Sequence, residues 1–135
     1  MVRRAIAGAS AILVGGVAVA QQPVPGAPLM VFFDWTKPEI RRDDSATLDQ
    51  AVAAWRARPG AKLRLSGHTD RSGGRATNRA AGLERARAVR GELEKRGIPR
   101  NVMSVASFGE DQPLVPTEDG VREVQNRRVV IELEE

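Results

Sequence analysis

Between Leu29 and Leu133 the apolar residues change spacing from strand-like to helix-like and back, twice over, and this alternation restricts the fold more than any other feature of the 135-residue chain. Leu29-Met30-Val31-Phe32-Phe33 is an apolar run of strand length, broken by the polar stretch from Asp34 to Glu39 with its Pro38. It predicts a first strand buried on both faces. Asp43, Asp44 and Ser45 then offer capping side chains, and Leu48, Ala51, Val52 and Trp55 recur at helical spacing until Pro59-Gly60. Lys62 to Ser66 alternates, with Leu63 and Leu65 inward, and stops at Gly67. A second helix is predicted over Thr77 to Arg96, with the stripe Leu83, Ala86, Val89 and Leu93, ended by Gly97 and Pro99. Val102 to Phe108 reads as a third strand, Gly109 to Arg122 as a loop, and Arg127 to Leu133 as a fourth strand with Val129, Ile131 and Leu133 on one side. The order β-α-β-α-β-β predicts a two-layer α/β (α+β) sandwich, its helices packed on one mixed sheet.

Composition narrows the chemistry. With 41% apolar and 28% charged residues the chain is expected to build a packed core. The absence of cysteine removes disulfides, thiolate nucleophiles and cysteine-held metals, and one histidine is too few for the common imidazole sites. No metal, cofactor or catalytic activity is expected. The formal charge of +4 is partly an effect of the amino terminus, where Met1 to Arg4 is positive, Ala5 to Ala20 is an uncharged run, and Ala18-Val19-Ala20 suits a signal peptidase. Residues 1–20 are therefore read as a signal peptide. The run is short and glycine-bearing for a membrane span of roughly 20 residues. A second reading keeps it uncleaved as an inner-membrane anchor, and both readings export the domain. No cysteine follows the cleavage site, so lipid attachment there is not expected. Without the leader, 19 cations face 17 anions, and with only five aromatic residues a nucleic-acid partner is not expected. Residues 21–28 hold three prolines and a glycine and read as a linker, leaving a domain over 29–135.

The densest group of chemistry-bearing residues is Gly67-His68-Thr69-Asp70-Arg71-Ser72-Gly73-Gly74, where a strand gives way to a helix. Ser66, His68 and Asp70 do not make a hydrolytic triad, because in extended chain alternate side chains stand about 7 Å apart. On the second helix, Asn78 and Arg85 lie seven residues apart and so within roughly 20° of one another. Arg85 falls at the border of the apolar stripe, where a partly desolvated guanidinium can clamp a carboxylate. Asp70 enters just before this helix. Two readings follow: a pocket that offers an anion and a cation to a zwitterionic ligand, or an Asp70–Arg85 salt bridge that ties loop to helix.

Gly67-His68-Thr69-Asp70, Gly73, Asn78, Arg85-Ala86, Val89, Gly97-Ile98, Phe108-Gly109-Glu110, Pro113 and Asn126-Arg127-Arg128-Val129 together resemble the OmpA-like peptidoglycan-binding domain. Val31-Phe32-Phe33-Asp34-Trp35 looks like that family's first strand, and the resemblance covers about residues 29–134. It implies a periplasmic, envelope-associated module that binds the peptide stem of the cell wall without covalent chemistry. Its implied partners are peptidoglycan and outer-membrane or other envelope proteins. By the same resemblance, Asp70 and Arg85 would grip the two ends of diaminopimelate, Asn78 would support them, and Thr69, Asp34 and Arg128 would complete the site. A module of this fold that binds only envelope proteins is the alternative. The chain departs from the family pattern at Ala81-Gly82, where Leu-Ser is usual, and carries its leucine one place later at Leu83.

Overall fold

The computed structural model describes residues 27–135. The signal-peptide or anchor reading of residues 1–20, and most of the linker reading of 21–28, fall outside them. Four strands and two helices follow in the order β1 (Leu29–Phe32), α1 (Ser45–Arg56), β2 (Lys62–His68), α2 (Arg75–Lys95), β3 (Met103–Gly109) and β4 (Arg128–Glu134).

The strands form one mixed sheet in the order β1-β4-β2-β3. β4, last in sequence, is inserted between β1 and β2 and runs antiparallel to both, while α2 connects the parallel pair β2 and β3. The helices cover one face. Val31, Phe33, Leu63, Leu65, Val129 and Ile131 point into the layer between sheet and helices, where they meet Leu48, Ala51 and Val52 of α1 and Ala86, Val89 and Leu93 of α2.

β1 corrects one expectation. The helices cover only one face of the sheet, so only alternate residues are buried: Val31 and Phe33 are enclosed, whereas Met30 and Phe32 are half-exposed on the far face. The capping expectation also changes. Asp44 stands at the start of α1 but makes no side-chain cap; its carboxylate accepts the Phe32 N–H at 3.1 Å, occupying a donor that the sheet edge leaves free.

α2 begins two residues earlier than the spacing suggests, and its inner face is Asn78, Gly82, Arg85, Ala86, Val89 and Leu93. Leu83, expected in the stripe, is half-exposed. Gly82 takes that inner position because helix and sheet touch backbone to backbone there: a Cβ on Gly67 would lie 1.8 Å from the Gly82 carbonyl oxygen. The helix ends as the sequence suggests. Gly97, at φ +103°, donates to Glu94 O and Ile98 donates to Leu93 O, while the Ile98 side chain is buried.

Candidate functional site

The loop leaving β2 is held from three sides. Thr69 N donates to Gly109 O at 2.8 Å, and the Thr69 hydroxyl donates to Asp70 O at 2.9 Å. Asn78, buried on the first turns of α2, uses Nδ2 as a clamp: it donates to Glu110 Oε1 at 2.8 Å and reaches the carbonyls of Asp70 and Gly73 at 3.2 and 3.4 Å. Gly73 sits at φ +128°, a conformation that side chains rarely adopt, and this lets the loop turn into the helix.

Asp70 is 3% exposed and saturated. Oδ1 accepts from Ser72 N at 3.1 Å and Ser72 Oγ at 2.6 Å; Oδ2 accepts from Glu123 N at 3.1 Å and Arg127 Nη1 at 2.7 Å. All four acceptor positions of the carboxylate are filled. Burial pushes its pKa up, but the hydrogen bonds from Ser72, Arg127 and Glu123 outweigh burial and hold the carboxyl below its ordinary value.

The cation bound to Asp70 is therefore Arg127 and not Arg85, so the salt-bridge reading of the Asp70–Arg85 pair does not hold. Arg127 also donates from Nε to Phe33 O at 3.0 Å, tying the start of β4 to the end of β1. The alternation of the fourth strand could have found it. With Val129, Ile131 and Leu133 facing the helices, period two puts Arg127 on the same side and Arg128 on the other.

Arg85 is 4% exposed, with its guanidinium 5.4 Å from the centre of the Phe33 ring. It has no carboxylate at ion-pair distance among the described residues. Its partners are three backbone carbonyls at the long end of hydrogen bonding: Lys37 O at 3.3 Å, Asp34 O at 3.4 Å and His68 O at 3.5 Å. Burial, and next the positive charge of Arg127, push its pKa down. Carbonyl dipoles offset part of that cost but supply no counter-charge.

Asp70, Arg85, Asn78 and Thr69 share a groove of about 470 Å³ with Trp35, Ser72, Glu84 and Arg127. Two other expected site residues do not face it. Asp34 contributes its backbone carbonyl to Arg85, but its carboxylate is turned to solvent near Arg41, 3.8 Å away. Arg128 stands opposite His68 on the sheet face away from the helices, where it donates to Gln112 O at 3.1 Å and Asn126 O at 3.5 Å and holds the loop before β4. Within that loop the fully buried Asn126 accepts from Leu114 N and Val115 N and donates to Val115 O, each at 2.8 Å. The Asn-Arg-Arg run thus divides three tasks among adjacent residues: a loop clamp, an inward ion pair and an outward brace. Ser72, Trp35 and Glu84 also line the groove, and Glu123 donates its backbone N–H to Asp70; the sequence singled out none of the four as a site residue. Among the described residues no cluster of His, Asp and Glu could hold a metal.

Comparison with known proteins agrees with this architecture. The peptidoglycan-associated lipoprotein of Rhizobium meliloti is 41% identical over 101 residues, which are 74% of this chain and 57% of that protein. An outer membrane protein of Gluconacetobacter diazotrophicus is 32% identical over 115 residues, 81% of this chain and 30% of the longer protein. The chain thus spans well under two thirds of the length of these relatives. Among solved structures, the peptidoglycan-associated lipoprotein from Burkholderia pseudomallei superposes with a TM-score of 0.72 at 28% identity, covering 78% of this chain and 90% of that one. The model of the OmpA family matches residues 32–127, most of the described fold and all of the groove, and the chain belongs to that family.

Proposed function

We propose that this protein is a non-catalytic peptidoglycan-binding module of the bacterial cell envelope, acting in the periplasm on the diaminopimelate of the peptide stem. The observation that carries the reading is Arg85, a buried guanidinium that opens on a groove and, among the described residues, meets only carbonyls at 3.3 to 3.5 Å. A ligand carboxylate would supply the missing counter-charge, and Arg85 would exchange long hydrogen bonds for a short, paired one. The names of the relatives as peptidoglycan-associated lipoproteins support the same ligand class.

The ligand ammonium would be received at Asp70. With four donors already present, a new one must displace one of them, and the Ser72 hydroxyl is the one that turns away by a side-chain rotation alone, since the other three are backbone amides or the paired Arg127. Each charge-assisted contact in such a half-dry groove contributes roughly 1.5 to 3 kcal/mol. The test is co-sedimentation with purified sacculi, comparing wild type with Asp70→Ala and Arg85→Ala. Each variant should bind at least tenfold more weakly; unchanged pull-down of both overturns the assignment.

A further inference from the structure

Three segments meet at the mouth of the groove, and they carry a second cation outside the Asp70–Arg85 centre. Trp35 stands there 40% exposed, its Nε1 donating to Ser72 Oγ at 2.9 Å. The turn after it places Thr36 at φ +62°, a left-handed conformation uncommon for a threonine. Over the indole lies the Arg122 guanidinium, 3.3 Å from the ring centroid. The backbone beneath Arg122 is pinned on both sides: Gly120 N donates to Arg71 O at 2.8 Å, and Glu123 N donates to the Asp70 carboxylate at 3.1 Å. Neighbouring arginines are paired, Arg71 with Asp119 and both Arg75 and Arg79 with Asp111. Arg122 has neither an ion-pair partner nor a side-chain hydrogen bond among the described residues. A guanidinium seated over a ring face keeps its N–H donors at its own edge, free to pair with a carboxylate.

We propose that the Trp35–Arg122 stack is a second subsite of the groove, which takes a further carboxylate of the same ligand beyond the group held at Arg85. This rests on the peptide-stem reading above and adds that the ligand presents two anionic groups. Trp35 lines the groove itself, so the stack borders it. The Ser72 hydroxyl couples the two subsites, because it accepts from Trp35 and donates to Asp70.

The experiment is calorimetric titration of the protein with two synthetic stem peptides. Both contain diaminopimelate, and the residue after it ends in a free carboxylate in one and in an amide in the other. Wild type should prefer the free acid by about two- to fivefold at low salt, the range of an exposed ion pair, and lose that preference near 1 M salt. Arg122→Gln should bind both peptides with the affinity wild type has for the amide, and Trp35→Ala, which removes the platform, should do the same. Equal binding of both peptides by wild type, or an undiminished preference in Arg122→Gln, overturns the second subsite and leaves the first intact. Failure of wild type to bind either peptide overturns the peptide-stem reading, and this subsite with it.

Discussion

Asp70 and Arg85 are both buried charges in one groove, yet the fold treats them oppositely. Asp70 has four donors, one of them the Arg127 cation; Arg85, among the described residues, has only carbonyls. Breaking the buried Asp70–Arg127 pair from one side should be costly, so Arg127→Ala is expected to lower stability by about 3 kcal/mol in urea unfolding, with the orphaned Asp70 carboxyl titrating higher than in wild type. Arg85→Met is expected to behave differently. It removes an uncompensated charge and retains the packing on Phe33, so its unfolding midpoint should equal or exceed that of wild type while binding to sacculi falls at least tenfold. A large stability loss in Arg85→Met would show that the carbonyls suffice to satisfy it. The sequence marked both residues, by the motif and by the helical spacing. The resemblance includes Arg127 within the Asn-Arg-Arg run but assigns Arg128 to the site, although strand parity was enough to separate the two.

At the scale of elements, helix spacing and strand alternation set out which stretches fold into what, because both signals are local. Ends were legible where a single residue decides them, as Gly97 does for α2. Leu83 and Gly82 were not, since the helix wheel ranks leucine above glycine for a buried face. The contact between α2 and β2 reverses that order: only glycine at 67 and 82 lets the two backbones approach. Gly67→Ala should therefore be strongly destabilising, by about 3 kcal/mol or more, because the new methyl meets a carbonyl and not a movable side chain. Gly82→Ala is a finer test. Alanine favours the helix by up to about 1 kcal/mol, but its methyl would lie 2.4 Å from Ser107 Oγ, which is itself bonded to Arg79 O and Gly109 N. Net destabilisation of about 1 kcal/mol is expected by thermal melts, and pairing with Ser107→Ala should recover most of it.

The whole molecule carries a built-in sensitivity to acid. His68 is 4% exposed on the outer sheet face, stacked on Phe108 at 5.4 Å between ring centroids, with Nδ1 unpartnered among the described residues. Burial, and then the charge of Arg128, lower its pKa from 6.5 to about 4. The unfolded chain thus takes up this proton first as pH falls, and the stability lost between pH 6.5 and 4 is on the order of 2 kcal/mol. Asp70, whose carboxyl is held below its ordinary value, adds a second loss only below about pH 4, where the folded state must accept a proton it resists. Denaturant titrations at pH 7, 5.5 and 4.5 should show the first decline in wild type and a flatter profile in His68→Gln.

The sequence by itself determined the elements, their order, most of the residues that form the core and the loop where the groove is built, all consequences of periodicity and of a few residues with special backbone preferences. Tertiary structure decided the strand order, with β4 between β1 and β2, and through it which charges meet. That step brings Arg127 to Asp70 across 57 residues of chain and, among the described residues, leaves Arg85 without an anion at ion-pair distance. In a chain with 18 arginines, local spacing offers many cations for one buried aspartate. Only closure of the sheet selects one, because a charge pair in a dry interior depends on distance through space and not along the chain.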